Sequence, residues 1–303
     1  MAARLLADLQ EMYRVTVLSS ASVPGGYLNP KWRVSTNEGE LFVKQYSPER
    51  FNHAQLEKME ESLQRQAAIE HEDVPGPRLW CVNGRVIRRL DAETAYMVMD
   101  FYPGQTENAA SVSLPQMKSL GEGVGRLHTA LARLPKPAEP KLPRFGGYTW
   151  AALRAHLAEH PHAVASAFAD TLDEGFFGRF SQGWAHEDLQ SGNILFDGDK
   201  LSAIVDYDRC AWSFPAHDVG RVLLSFALAD GVLDTAKVRA FCEGYALYLP
   251  MPDVMNTLRL TFCIEAVWWL RPEFTRADCP PVPKRFYKEM QWLAAHGDCL
   301  REA

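Results

Sequence analysis

The sequence predicts an α+β protein in two lobes, a small β-rich lobe followed by a larger, mainly helical one. Short β-type runs separated by turn residues dominate the chain up to Phe101. After Gly104, apolar residues recur at helical spacing through most of the remaining chain. These two patterns place the N-terminal lobe at residues 1–98, a hinge at 99–104 and the C-terminal lobe at 105–303.

The first lobe is predicted to contain strands on both sides of one helix. Leu56, Leu63 and Ala67 recur at helical spacing and indicate a helix between residues 48 and 71. The dipeptide Asn83-Gly84 is the strongest short signal for a β-hairpin. The predicted strands are residues 13–19, 32–36, 41–46, 78–82, 85–90 and 95–101.

The second lobe is predicted to be helical except in its middle. A helix is expected after Ser113, because Ser113, Pro115 and Gln116 form a helix-start signal. Residues 183–212 break the helical pattern with short strand-like runs, acidic residues and turns. Four further helices are predicted, at residues 150–172, 216–229, 235–248 and 254–269.

Composition excludes several classes of function. The 303 residues include 32 basic and 38 acidic side chains, and this net charge of −6 argues against a nucleic-acid-binding protein. No stretch approaches the roughly 18 consecutive apolar residues that a membrane span needs. The six cysteines form no C-x-x-C pair and are interpreted as reduced, which predicts a cytoplasmic enzyme. The oligomeric state stays open.

Three polar residues predict a phosphoryl-transfer site. Asp188 and Asn193 have D-x-x-x-x-N spacing, and Asp206 ends a short apolar run shortly afterwards. Phosphoryl transfer needs a carboxylate that orients the attacking hydroxyl and a divalent metal that neutralises the phosphates. The loop asparagine and the strand-end aspartate supply hard oxygen ligands that suit Mg²⁺.

The segment 186–196, followed by 204–208, resembles the signature of the aminoglycoside phosphotransferase/choline kinase-like superfamily, which has a protein-kinase-like fold. The resemblance continues in residues 25–34, 41–44, 206–211 and 217–221. The glycine-tyrosine-x-asparagine form of residues 26–29 looks most like the homoserine-kinase-type and spore-coat-kinase-like branches. The resemblance implies a kinase that transfers the γ-phosphoryl group of ATP or GTP to a hydroxyl of a small molecule.

The resemblance also implies roles for individual residues. Asp188 would be the catalytic carboxylate, Asn193 and Asp206 would hold Mg²⁺, and Lys44 would contact the α- and β-phosphates. A helix glutamate would pair with Lys44; Glu60 is favoured, and Glu57 and Glu61 stay open. The backbone at Gly25 and Gly26 would approach the phosphates, and the hinge residues Met99, Asp100, Phe101 and Tyr102 would bind adenine through their backbone.

Two neighbours of Asp188 have predicted structural roles. His186 is interpreted as a histidine that braces the loop. Asp218 is expected to accept hydrogen bonds from the backbone of the catalytic loop.

The acceptor is the open question. An aminoglycoside, homoserine, an amino alcohol or a sugar all fit the resemblance. Glu187 departs from the family pattern, and together with Asp208 and Glu265 it predicts an acceptor with positive charge or several hydroxyls. The alternative is that Glu187 and Glu265 are already paired with arginines such as Arg209 or Arg259.

Two other functions compete with a small-molecule kinase. A protein kinase is disfavoured because the chain has no D-F-G or A-P-E motif and only a short segment between Asp206 and Asp218. A catalytically weak or inactive kinase-like scaffold is disfavoured because Lys44, Asp188 and Asn193 are all present together with Asp206.

Overall fold

The computed structural model describes residues 1, 3–23, 29–91, 93–139, 155, 175–270 and 272–296. The helix predicted at residues 150–172 lies outside this part of the chain, apart from Ala155. Gly25 and Gly26 also lie outside the described residues.

An antiparallel sheet forms the frame of the N-terminal lobe. Neighbouring strands of the sheet follow the order β1-β2-β3-β6-β4. Strand β5 also pairs with β6, at residues Ala95 and Tyr96, while β4 pairs with β6 at Val98 and Met99. Helix α2, His53–Ala68, begins with a capping box in which Asn52 and Gln55 bond each other's backbone. The strands are β1 Val17–Ser22, β2 Lys31–Thr36, β3 Gly39–Tyr46, β4 Leu79–Trp80, β5 Arg88–Arg89 and β6 Ala95–Asp100.

The predicted turn at Asn83-Gly84 is confirmed, but its flanking strands are shorter than expected. Asn83 and Gly84 have φ angles of 52° and 75°, as a two-residue hairpin turn of the primed type requires. Val82 bridges Arg85 across this turn. Beyond that bridge the two arms separate, because β4 and β5 both pair with β6 instead of with each other.

A helix at the N-terminus was not predicted. Helix α1 spans Ala3–Tyr13, so the strand expected from Tyr13 begins only at Val17. Leu5, Leu9 and Tyr13 lie four residues apart and form the buried face of α1 against the sheet. The helical spacing was therefore present in the sequence, but it extends over only three turns.

Asp8 fastens α1 to the sheet. Its carboxylate accepts hydrogen bonds from Arg88 Nε and Nη2, at 3.0 and 2.9 Å, and from Tyr96 Oη at 2.7 Å. Because an ionised carboxylate accepts strong hydrogen bonds from a guanidinium, the Asp8–Arg88 pair fixes the position of α1 on the sheet.

The C-terminal lobe is built from helices around two short hairpins. Helix α7 was not predicted, because Pro280, Pro281 and Pro283 obscure the helical pattern although the first turn of a helix tolerates proline. The elements are α3 Leu114–Leu131, β7 Gly183–Ala185, β8 Ile194–Asp197, β9 Lys200–Ile204, β10 Ala211–Ser213, α4 Pro215–Ala227, β11 Leu228–Ala229, β12 Val232–Leu233, α5 Thr235–Tyr245, α6 Val254–Trp269 and α7 Pro281–Ala295.

One hydrophobic cluster spans both lobes, and a second, smaller one lies within the N-terminal lobe. Met59 and Leu63 of α2 belong to the same buried cluster as Ile204, Tyr207 and the helices of the second lobe. Ser62 Oγ also donates to the carbonyl of Cys210 at 3.0 Å. The two-lobe α+β architecture is confirmed, and α2 is the element that joins the lobes.

The described helices include none that is both long enough and apolar enough to cross a membrane.

Helices α3 and α5 cross at two glycines. A Cβ atom at Gly121 would lie 2.1 Å from the carbonyl oxygen of Phe241, and one at Gly244 would lie 2.0 Å from that of Lys118. Only glycine permits this approach of two backbones. The crossing matters for the site because α3 also carries His128, which contacts the support of the catalytic loop.

We expect Gly121→Ala to lower the free energy of unfolding by about 2 kcal/mol, since the new methyl group meets backbone that cannot rotate away. This loss outweighs the gain of about 1 kcal/mol in helix propensity. Urea denaturation measures it. Gly123→Ala on the same helix is the control, because its Cβ would meet the flexible end of the Leu201 side chain. Equal losses in the two variants would contradict the proposed backbone contact.

Candidate active site

The three residues of the predicted phosphoryl-transfer site lie together. Asn193 Nδ2 donates to the carbonyl of Asp188 at 2.9 Å and to its Oδ2 at 3.0 Å. The amide of Val205, next to Asp206, donates to the carbonyl of Asn193 at 3.0 Å. The antiparallel pair β8–β9 creates this arrangement, because Asn193 precedes β8 and Asp206 follows β9.

Asp218 stabilises the backbone of the catalytic loop, as predicted. Its side chain is fully buried and accepts from the amides of His186 and Glu187 at 2.6 and 2.8 Å. Glu187 has a φ of 66°, a left-handed conformation that is unfavourable for most residues. The two hydrogen bonds stabilise this bend, which presents Asp188 to the cleft.

His186 and His128 complete the support. His186 Nδ1 lies 3.3 Å from the amide of Asp188, and its Nε2 lies 3.2 Å from the carbonyl of Val205. This confirms the prediction that His186 braces the loop. His128 Nε2 lies 3.2 Å from Asp218 Oδ2. The sequence did not indicate a role for His128 in the site, because a histidine within an apolar helix face has the pattern of an ordinary core residue.

Lys44 reaches across from the N-terminal lobe to two aspartates. Its ammonium lies 2.7 Å from Asp206 Oδ1 and 2.6 Å from Asp208 Oδ2. Tyr46 donates to the second oxygen of Asp208 at 3.2 Å. Burial opposes ionisation of Asp206, but the charge and hydrogen bond of Lys44 lower its pKa to about 2. Asp206 is therefore an anion at neutral pH.

The predicted pair between Lys44 and Glu60 is wrong for this structure. The carboxylate of Glu60 accepts from the amides of Val86 and Ile87, at 2.9 and 2.7 Å. Glu60 therefore ties α2 to the segment after the Asn83-Gly84 turn, while Lys44 is anchored by aspartates. The alternatives also have other partners: Glu57 pairs with Arg85 and Arg89, and Glu61 pairs with Arg65.

Asp188 has the properties of a proton acceptor. Burial raises its pKa to about 6, against the attraction of Arg209, whose Nη1 lies 4.0 Å from Asp188 Oδ1. A carboxyl group with a pKa near the working pH can both orient a hydroxyl group and take its proton.

Asn193 and Asp206 form a donor pair that fits Mg²⁺. One amide oxygen and one carboxylate are hard ligands, and Mg²⁺ commonly binds one or two carboxylates together with phosphate oxygens of the substrate. Within the described ranges, no group of three His, Cys, Asp or Glu side chains is arranged to hold a metal ion.

Two backbone amides of the predicted hinge already form hydrogen bonds within the N-terminal lobe. The amide of Asp100 donates to the carbonyl of Arg78 at 3.0 Å, and the amide of Phe101 donates to that of Glu40 at 2.9 Å. These two amides cannot bind adenine without breaking a bond in the lobe. Tyr102, the last residue of the predicted hinge, is exposed.

The carboxylates near Asp188 have partners that were not predicted. His217 Nδ1 lies 3.4 Å from Glu187 Oε1, and its Nε2 lies 2.9 Å from Glu265 Oε1. Arg221 Nε lies 3.1 Å from the same oxygen of Glu265. Burial opposes the charge on His217, but the adjacent carboxylates of Glu187 and Glu265 raise its pKa to about 10. This agrees with the alternative that both glutamates form ion pairs within the chain, although the partners are His217 and Arg221 instead of Arg209 or Arg259.

Comparisons with known proteins identify the family. Residues 21–251 match the model of the phosphotransferase enzyme family. The chain is 24% identical over 246 residues to a homoserine kinase of Methylobacillus flagellatus, covering 78% of this chain and 72% of that one.

Solved structures agree at the level of the fold. A microcompartment-associated aminopropanol kinase superposes with a TM-score of 0.68 at 15% identity, covering 98% of this chain and 97% of the other. An amicoumacin kinase in complex with AMP-PNP, Ca²⁺ and Ami superposes with a TM-score of 0.60 at 14% identity, covering 96% and 93%.

The fold and the site define a phosphotransferase with a protein-kinase-like architecture that acts on hydroxyl groups. The chain belongs to the phosphotransferase enzyme family.

The charged state of His217 should make stability depend on pH. Its pKa is about 10 in the folded protein against an ordinary value of 6.5, so its contribution is complete below pH 6.5 and is lost as the pH rises through 10. We expect the difference in melting temperature between the parent and His217→Gln to shrink across this range. The exposed His53, changed to Gln, is the control. A difference that stays constant would contradict the assigned charge.

Proposed function

We propose that this protein transfers the γ-phosphoryl group of ATP or GTP to a hydroxyl of a small molecule and that it requires Mg²⁺. The observation that supports the proposal most directly is that Asp188, Asn193 and Asp206 lie on one loop–strand unit facing Lys44. Each of these residues has a separate part in phosphoryl transfer, and chance placement of all four at one cleft is improbable.

Asp188 is proposed as the group that acts on the acceptor. Its carboxylate orients the acceptor hydroxyl toward the phosphorus and accepts the proton as the new O–P bond forms. Asn193 holds the Asp188 side chain through its amide, so the carboxylate is already oriented before the acceptor binds. Asn193 and Asp206 would hold Mg²⁺, which neutralises phosphate charge when it is bound.

Lys44 is proposed as the contact to the α- and β-phosphates. In the structure it is shared between Asp206 and Asp208, so its ammonium must turn partly toward the nucleotide when ATP binds. Asp208 and Tyr46 keep it within reach of the cleft. The predicted roles of the Gly25-Gly26 backbone and of the hinge in holding the phosphates and adenine belong to this same proposal.

The proposed acceptor is a small molecule with a free hydroxyl group, of the homoserine, amino alcohol or aminoglycoside type. The relatives named above support the first two types, since their names specify homoserine and aminopropanol. An inactive scaffold is a weaker proposal, because it gives no role to the meeting of Asp188, Asn193 and Asp206 opposite Lys44. A cytoplasmic location stays a prediction.

Asp188→Asn should lower turnover at least about a hundredfold, since the amide cannot accept the proton from the hydroxyl. Nucleotide affinity should change little. ADP release measures turnover, and calorimetry measures nucleotide binding. Asp199→Asn is the control, because Asp199 is an exposed aspartate at the β8–β9 turn. If Asp188→Asn has the same turnover as the parent, Asp188 is not the catalytic carboxylate.

Asp206→Ala should weaken nucleotide binding mainly when Mg²⁺ is present, because it removes an anionic oxygen ligand. Calorimetry with ATP is run with Mg²⁺ and with a chelator. Asp197→Ala, an exposed aspartate of β8, is the matched control. If Mg²⁺ strengthens ATP binding by the same factor in Asp206→Ala and in the parent, Asp206 is not a metal ligand.

A further inference from the structure

Three basic side chains lie on one face of strands β2 and β3. In this antiparallel pair Lys31 is directly opposite Lys44, and Arg33 follows Lys31 by two residues. Residues that are opposite each other, or two apart on one strand, share a face of the sheet. Because Lys44 contacts Asp206 and Asp208, this face is the one that borders the cleft.

Two of these three cations already have carboxylate partners. Lys44 is held by two aspartates, and Arg33 Nε lies 2.6 Å from Glu40 Oε2. Lys31 differs from both, because none of the carboxylates that the structure describes is in ion-pair contact with its ammonium. Lys31 is therefore the cation of this face that is available to a ligand.

The surroundings of Lys31 disfavour its positive charge in the protein without nucleotide. The residue is partly buried, and burial together with the charge of Lys44 lowers its pKa, against the attraction of Asp206 and Asp208. Like charges directly opposite each other on two strands are also destabilising. A bound anion would offset this unfavourable arrangement.

The other charged groups beside the proposed phosphate site have partners of opposite sign. Lys44 is shared between Asp206 and Asp208, and Arg209 Nη1 lies 4.0 Å from Asp188 Oδ1. Neither cation can turn fully to a phosphate without loosening its contact with a carboxylate. The triphosphate of ATP carries more negative charge than one Mg²⁺ neutralises, so a further cation at this place has a use.

The backbone of Lys31 is fixed at the edge of this site. The amide of Val23 donates to the carbonyl of Lys31 at 3.0 Å. The chain between these two residues contains Gly25 and Gly26, whose backbone is proposed above to approach the phosphates. This hydrogen bond and the pairing of β2 with β3 fix the point from which the Lys31 side chain extends beside Lys44.

We propose that Lys31 binds the phosphate chain of the nucleotide, as a second cation beside Lys44. The proposal rests on the kinase function proposed above and adds a nucleotide-binding residue to that site. The ammonium of Lys31 gains charge-assisted hydrogen bonds to phosphate oxygens when the nucleotide binds. Lys44 can then contact the phosphates while it stays close to Asp206 and Asp208.

Two other roles of Lys31 must be separated from this one. A lysine whose ammonium is merely solvated contributes nothing to nucleotide affinity. A lysine that only maintains the shape of the site would affect every adenine nucleotide equally, whatever its number of phosphates. A phosphate-binding lysine, in contrast, affects a nucleotide more strongly when the nucleotide carries more phosphate charge. The comparison is therefore made between nucleotides that differ only in their phosphates.

The experiment measures the binding of ATP, ADP and AMP by calorimetry in the presence of Mg²⁺. The proteins are the parent, Lys31→Met, Lys31→Arg and Lys58→Met. Methionine keeps an unbranched side chain without the charge, whereas arginine keeps the charge. Lys58 is exposed on α2, so its replacement is a matched control that removes one positive charge from the same lobe.

We expect Lys31→Met to weaken ATP binding by roughly ten- to a hundredfold, the usual range for a hydrogen bond to a charged group. The loss should be smaller for ADP and smallest for AMP. Lys31→Arg should keep most of the ATP affinity, and Lys58→Met should keep all of it. An unchanged ATP affinity in Lys31→Met, or an equal loss for all three nucleotides, overturns the proposal.

No acceptor takes part in this measurement, which separates the inference from the kinase function. If ATP binding depends on Lys31 in the expected way but no hydroxylated acceptor is phosphorylated, the proposed function fails and the inference stands. If the protein phosphorylates an acceptor while Lys31→Met binds ATP as the parent does, the function stands and the inference fails. If the parent binds none of the three nucleotides, both fail.

Discussion

The site depends on one buried carboxylate. Asp218 is inaccessible to solvent, yet it must stay ionised to accept two amide hydrogen bonds from the catalytic loop. Burial opposes that charge, but the hydrogen bond and attraction of His128 lower the pKa of Asp218, with further help from His186 and His217. The hydrogen bonds to this carboxylate stabilise the bend at Glu187, which orients Asp188. The contact with His128 also joins α3 to α4.

The other buried carboxylates around the catalytic loop are neutralised in the same way as Asp218. Each buried carboxylate near the loop has a basic neighbour from a different element, and Lys44 brings the last one from the other lobe. Removing one partner of such a pair leaves an uncompensated charge, which is more harmful than replacing both. The network therefore adds directional contacts between the loop, the helices and the sheet to the apolar packing that they share.

Much of the catalytic centre could be predicted from the sequence because its residues are close together in the chain. Asp188, Asn193 and Asp206 lie on one hairpin, so spacing alone indicates their meeting. The partner of Lys44 could not be predicted, because three glutamates of α2 share its neighbourhood and only three-dimensional contacts show that Glu60 bonds the Val86 and Ile87 amides. The place of Lys31 could not be predicted either, because only the register of β2 on β3 shows that it lies opposite Lys44.

The position of α2 has a mechanical consequence. One side of this helix shares a core with Ile204 and Tyr207, and Ser62 and Arg65 both donate to the carbonyl of Cys210. By chain order α2 belongs to the first lobe, and Glu60 and Glu57 tie it to the segment that leads into β5, while Ser62 and Arg65 tie it to the turn that carries Asp206 and Asp208. Any change in the angle between the lobes would thus have to break polar contacts on one side of α2 or on the other.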